Sequence, residues 1–250
     1  MQIAEHLEHL AAEGGRLTAI AEQGGLDATV TTCPGWQMRD LLTHLSQVHR
    51  WATAYVVTGR TTPPGDSDEL AEPPSADDEL VGWFGDGHAA LVAALRTASD
   101  QLDCWAFLPA PSPRAFWARR QAHETAIHRA DAETAAGLQP SYDATFAADG
   151  IDELLLGFFG RPGGRLRSDV PVRLGLRATD VGESWTVAIG PNGRTTSKGD
   201  GDGDADCTVS GSATDLYLLM WNRGDPAALD VVGKSDVLDL WRKNARISFR

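Results

Sequence analysis

Apolar residues recur at helical spacings in four separate segments between positions 2 and about 159, and the pattern changes to alternation beyond position 172. Ile3, Leu7, Leu10 and Leu17 predict a first helix over 2–23, stopped by Gly24-Gly25. Pro34-Gly35 makes a turn, and Leu41, His44, Val48, Trp51 and Tyr55 form one stripe of a second helix that runs to Thr58 and ends at Gly59. Leu80, Phe84, Leu91, Val92 and Leu95 predict a third over 76–99, its first half weakened by Gly82, Gly85 and Gly87. A fourth spans about 113–136 and is closed by Gly137. A shorter one, over 144–159, carries Phe146, Ile151, Leu154, Leu155 and Phe158. Helices joined by these connections are expected to pack as an antiparallel bundle with any site in its core.

Arg161-Pro162-Gly163-Gly164-Arg165 reads as a linker. Beyond it, 172–178 and 185–189 alternate as strands, Pro191-Asn192-Gly193 is a hairpin turn, and Cys207-Thr208-Val209 is another short strand. Leu216 to Trp221 and Val237 to Trp241 read as helix. The expected fold class is therefore mixed: a helical bundle over 1–160, then a small α+β domain over 161–250. The Pro-, Gly- and acid-rich segment 60–76 reads as a mobile loop. Asp200-Gly201-Asp202-Gly203-Asp204-Ala205-Asp206 invites a calcium-loop reading. That loop needs Gly at its sixth position and Glu at its twelfth, where Ala205 and Gly211 stand, so a hairpin loop is expected instead.

Charge and cysteine usage narrow the function classes. A formal charge of −13 and a pI near 4.8 argue against nucleic acid and anionic membrane surfaces as partners. Cys33, Cys104 and Cys207 are too few and too widely spaced for a disulfide framework or a thiolate zinc cluster. The chain opens without a basic region followed by an apolar run, and no segment approaches the ~20 apolar residues of a membrane span. A reducing, cytoplasmic setting is expected.

The fourth helix carries the candidate chemistry. In Arg120-Gln121-Ala122-His123-Glu124-Thr125-Ala126-Ile127-His128-Arg129-Ala130-Asp131, Glu124 and His128 are four apart and project from one face. A His-Glu-x-x-His zinc-protease motif would need His at position 127, which is Ile127, so that reading fails. Glu and His at this spacing are also common on exposed helix faces, and a third ligand has to come from elsewhere. His44 stands on the apolar stripe of the second helix. A core histidine satisfied by a hydrogen bond would occupy the same place, and the pattern leaves both readings open. His49 is expected to meet solvent, as are His6 and His9. If His44 faces Glu124 and His128, three ligands converge with a fourth position open, as in catalytic zinc sites. Asp131, three beyond His128, could then accept from that imidazole and fix its tautomer.

Cys33-Pro34-Gly35-Trp36 leading into Arg39-Asp40-Leu41-Leu42-Thr43-His44-Leu45, with Glu124-x-x-x-His128-Arg129-x-Asp131-Ala132, resembles the mycothiol-dependent maleylpyruvate isomerase family. Val209 to Leu216 and Leu219-Met220-Trp221-Asn222-Arg223 are similar to a stretch of that family's C-terminal domain. The resemblance implies a DinB-like metal-binding four-helix bundle followed by a sterol-carrier-like domain. It implies ligation of a divalent metal, zinc first, by His44, Glu124 and His128, and marks Arg223 as the candidate catalytic arginine. It further implies mycothiol as thiol cofactor or co-substrate and a small electrophile as its partner. Two activities fit: isomerisation by reversible thiol addition across a cis double bond, or transfer of the thiol to the electrophile. Cys33 has no assigned part in either. A thiol-independent zinc hydrolase and a non-enzymatic binder of metal or apolar ligand are the alternatives. Substrate identity and oligomeric state are not encoded in any motif.

Overall fold

The computed structural model describes residues 1–65, 70–199 and 204–247, in two compact units, Met1–Pro140 and Ser141–Arg250. Part of the 60–76 loop and the Asp200–Gly203 portion of the acidic tract lie outside the described residues.

The first unit is a bundle of α1 (Ile3–Gly24), α2 (Met38–Thr58), α3 (Leu80–Thr97) and α4 (Pro113–Ala135), with a two-stranded ribbon of β1 (Thr29–Val30) and β2 (Trp36–Gln37) ahead of α2. α1 packs on α3 and α4, and α2 packs on the same two. Leu17, Met38, Leu41, Leu42, Leu45, Leu80 and Phe84 fill one core. Local signals set the ends. The Gln37 backbone N–H donates to Asp40 Oδ2 at 2.8 Å in a capping box, and Gly59 closes α2 in the left-handed region at φ +64°. Ser112 accepts from Ala115 N at 3.1 Å, with Pro113 supplying a preset first turn for α4.

α4 is unusual in being buried all round. From Phe116 to Ala132 every residue but Arg119 is buried, including Arg120, Gln121, His123, Glu124, Thr125, His128, Arg129 and Asp131. Each polar group therefore needs a partner inside the protein. Arg129 Nε donates to Glu13 Oε2 of α1 at 2.5 Å, and its Nη1 donates to Glu133. Thr125 Oγ1 donates to Gln121 O at 2.7 Å and lies 2.9 Å from His49 Nε2. That hydroxyl proton is already committed, so His49 Nε2 is the donor and the ring is the neutral Nε2–H tautomer.

The second unit contains α5 (Ala144–Asp152), which runs into a π-helical stretch Glu153–Phe158, and a five-stranded sheet in the order β5-β4-β3-β6-β7. The strands are β3 (Val172–Ala178), β4 (Glu183–Gly190), β5 (Gly193–Lys198), β6 (Cys207–Gly211) and β7 (Asp230–Gly233). β3 pairs antiparallel with β4 and parallel with β6; β4–β5 and β6–β7 are antiparallel. α6 (Ala213–Met220) and α7 (Ser235–Asn244) both pack on β3 and β6. The segment expected to be a linker, 161–165, lies inside this unit, where Arg194 donates to the carbonyls of Arg161 and Gly163. The helix expected at 144–159 likewise belongs with the sheet.

Two burial expectations reverse. His49 is fully buried and His6 is 4% exposed, its ring edge-on to His123 at 6.0 Å. Because α2 touches both α3 and α4, its buried arc spans Leu41, Leu42, Leu45, His49, Ala52 and Val56, and the predicted stripe traces only one edge of it.

Burial, then the neighbouring His88, hold the His49 imidazole well below its ordinary value, and burial lowers His88. A histidine with a folded-state pKa below its unfolded value of about 6.5 contributes stability that is intact above that pH and lost as pH falls beneath it. The urea midpoint should therefore drop as pH is lowered from about 6.5 toward 5, and His49→Leu should flatten that slope. An equally steep slope in the variant would assign the acid sensitivity elsewhere.

Candidate metal centre

Three ligand-type atoms meet where α2 passes α4. His44, Glu124 and His128 each offer one donor, and the three donors lie within 4.8 Å of one another. His44 Nε2 is 3.5 Å and His128 Nε2 3.4 Å from the same carboxylate oxygen, Glu124 Oε1. The two imidazoles stand edge to face with centroids 5.0 Å apart. Glu124 and His128 are buried, whereas the His44 side chain is 32% exposed, so the cluster has a closed side and an open one.

The turn before α2 supplies the wall. Trp36 N donates to Cys33 O at 3.0 Å around Pro34 and Gly35, the latter at φ +87°, which is a type II turn with its preferred residues at both central positions. It points Trp36 at the cluster, with ring centroids 5.2 Å from His44 and 6.3 Å from His128, nearly parallel to the latter at 20°. The same turn carries Cys33 Sγ to 3.4 Å from Asp131 Oδ2. Asp131, fully buried, accepts through Oδ2 from His128 Nδ1 at 2.9 Å, three residues along the same helix. Cys33, His128 and Asp131 also lie close enough to be a donor group of their own, but their polar atoms are engaged with one another in this hydrogen-bonded relay.

With Nδ1 donating to Asp131, His128 turns Nε2 toward Glu124 Oε1 and His44 Nε2. Three electron-pair donors facing one point repel unless a proton or a cation lies among them. Burial alone would lower His128 and raise Glu124. For His128 the contacts with Asp131, Cys33 and Glu124 prevail, and its pKa stands well above the usual imidazole range. For Glu124 the Arg120 charge and the two imidazoles prevail and hold it well below the usual carboxylate range. Two imidazole nitrogens, one carboxylate oxygen and an open side make a donor set that fits a zinc-type divalent ion.

Arg120 is a participant that the motif reading passed over. It is 2% exposed, and its Nη2 donates to Glu124 Oε2 at 2.8 Å. Its position four residues before Glu124 was a usable signal, as was the Pro-Gly turn that brings in Cys33 and Trp36. Arg223 lies in the second unit, half buried just past α6. There Arg223 N donates to Leu218 O at 2.8 Å and Asn222 N to Leu219 O at 2.9 Å, a helix-ending pair made with Asn222 at φ +60°. Its Nη1 donates to Trp221 O at 2.8 Å.

A helical bundle that presents two imidazoles and a carboxylate to one point, followed by an α+β unit, defines a class of two-part proteins with a donor cluster between bundle helices. Residues 7–133 match the family described as mycothiol maleylpyruvate isomerase N-terminal domain, and residues 145–240 match the MDMPI C-terminal domain. The chain belongs to the mycothiol maleylpyruvate isomerase family. Among solved structures, the mycothiol-dependent maleylpyruvate isomerase is similar at 16% identity and a TM-score of 0.59, covering 92% of this chain and 93% of that one. A point variant of that isomerase is similar at 14% identity with the same TM-score and coverage. At these identities the likeness establishes the fold, a helical region followed by an α+β part, as expected from the sequence. No curated protein matches the sequence.

Because Gly35 occupies the left-handed region, Gly35→Ala should cost about 1–2 kcal/mol in unfolding free energy. It should also shift the emission of Trp36, read against a Trp36→Phe control. An unchanged urea midpoint would show that the turn does not constrain Trp36 in this way.

Proposed function

We propose that this protein is a metal-dependent enzyme that uses a low-molecular-weight thiol, mycothiol, on a small electrophilic substrate, by isomerisation or S-transfer. The observation that carries the reading is the convergence of His44 Nε2, Glu124 Oε1 and His128 Nε2 beside an open side of the bundle. Membership of a mycothiol-linked family supports the thiol, and the donor chemistry supports zinc.

His44, Glu124 and His128 would hold the ion. Zinc, when bound, supplies a Lewis acid that keeps a thiol sulfur as thiolate at neutral pH. The chain's own residues do the rest. Asp131 accepts from His128 Nδ1–H, which leaves the Nε2 electron pair for the ion and fixes the ring plane. Cys33, bonded to the same Asp131 oxygen, is a support for that carboxylate rather than a nucleophile. Trp36 walls the open side with an apolar face and limits water around His44 and His128. The incoming thiol is the nucleophile, consistent with a cluster in which every near donor is committed to the ion or to a neighbour. Arg223 is assigned the catalytic arginine's role on family likeness, and Arg223→Lys should retain more activity than Arg223→Ala.

His44→Ala should lose more than about 100-fold in thiol-dependent turnover, beyond the range typical of outer partners of a ligand, while circular dichroism shows the fold retained. Global unfolding of that variant would favour a structural metal, and turnover undiminished without mycothiol would favour a hydrolase. Metal analysis should give about one zinc per chain.

Proton linkage gives an independent check. Metal-free His128 is protonated near neutrality because its pKa is raised, and a ligand imidazole must be neutral. Zinc uptake at pH 7 should therefore release about one proton, seen as a buffer-dependent calorimetric heat, and affinity should rise with pH. Buffer-independent heat would mean that His128 does not bind the ion.

A further inference from the structure

Resting on the metal reading above, we propose that Arg120 is a positioning residue that confines Glu124 to one-oxygen ligation and so keeps a coordination place for the thiol. The two oxygens of Glu124 have separate partners. Oε1 faces both imidazoles, at 3.5 and 3.4 Å, while Oε2 accepts from Arg120 Nη2 at 2.8 Å. Arg120 sits one turn before Glu124 on α4, and its side chain is 2% exposed.

A carboxylate binds a divalent ion through one oxygen or through two. Two-oxygen binding by Glu124 would need Oε2 to swing toward the imidazoles. That motion breaks the 2.8 Å charge-assisted hydrogen bond between two buried side chains that holds Oε2 turned away from the imidazoles. The alternative cation on this helix, Arg129, is held by Glu13 and Glu133 and does not compete for Glu124.

Arg120 is not explained as a source of metal affinity, because a fixed cation near the ion repels it. It also draws electron density away from Glu124, leaving a weaker donor and a more electron-poor ion for the sulfur. Both effects act on what the ion does next. A role confined to helix stability would leave the ion's coordination unchanged when Arg120 is replaced.

The test uses the full chain loaded with cobalt(II) and N-acetylcysteine as the thiol probe, comparing wild type, Arg120→Met and Arg120→Lys. Wild type should show the intense visible bands of four-coordinate cobalt and a thiolate-to-metal absorption on adding the probe. Arg120→Met, with its fold checked by circular dichroism, should still bind cobalt but with weaker visible bands, and its affinity for the probe should fall about 10- to 100-fold. Arg120→Lys should recover part of both. Wild-type bands and probe affinity in Arg120→Met would overturn the inference while leaving the metal site standing. Failure of wild type to take up cobalt or zinc would instead remove the metal reading itself. Should Arg120→Met not fold, a zinc-loaded wild-type crystal structure decides: Glu124 with one oxygen on zinc and the other on Arg120 supports the inference, and both oxygens on zinc overturn it.

Discussion

A helix buried on every side and yet rich in charge is the constraint from which this bundle follows. α4 places two arginines, two histidines, a glutamate and an aspartate out of water within Arg120–Asp131. Leaving any one of those charges unmatched would cost several kcal/mol, a large part of a domain's net stability. The neighbouring helices are thus selected for what they bring to α4 as much as for apolar area. α1 brings Glu13 to Arg129, α2 brings His49 to Thr125 and His44 to Glu124, and the turn before α2 brings Cys33 to Asp131.

These partnerships are not equivalent. Around Arg129 the account closes, since one guanidinium meets two carboxylates and no donor is left facing another. Around Glu124 it does not close in the same way. There two imidazole nitrogens and one carboxylate oxygen converge on the side nearest solvent, and a proton on His128 or a bound cation has to lie among them. The contrast between a self-sufficient ion pair and a cluster whose donors can hold either a proton or the proposed cation is the physical distinction between scaffold and candidate site on this one helix.

Much of this was legible in the sequence because it is local. Glu124, His128 and Asp131 are fixed relative to each other by helix geometry, and the apolar periods of α1 to α3 and the alternation of β3 and β4 follow from residue order alone. What was not legible depends on burial that polarity conceals. α4 has no apolar stripe to read, so the partners that its inward charges recruit, His6 and His49 among them, looked like surface residues. The edge strands β5 and β7 are polar or partly exposed and give no alternation. Gly137 to Pro140 resembles any interhelical turn, whereas 161–165 has a linker's composition, which drew the expected boundary too late. His44 could be paired with Glu124 only through family likeness, since helix–helix juxtaposition has no local signature.

Residues 44 and 124 are far apart in the chain, and they face each other directly in the native bundle. An ion gripped by both would bridge a long intervening segment in the native bundle alone. The unfolded chain holds no such grip, so occupancy would couple to folding by mass action. The feature that prepares the site for chemistry would thereby make the folded fraction depend on the metal supply.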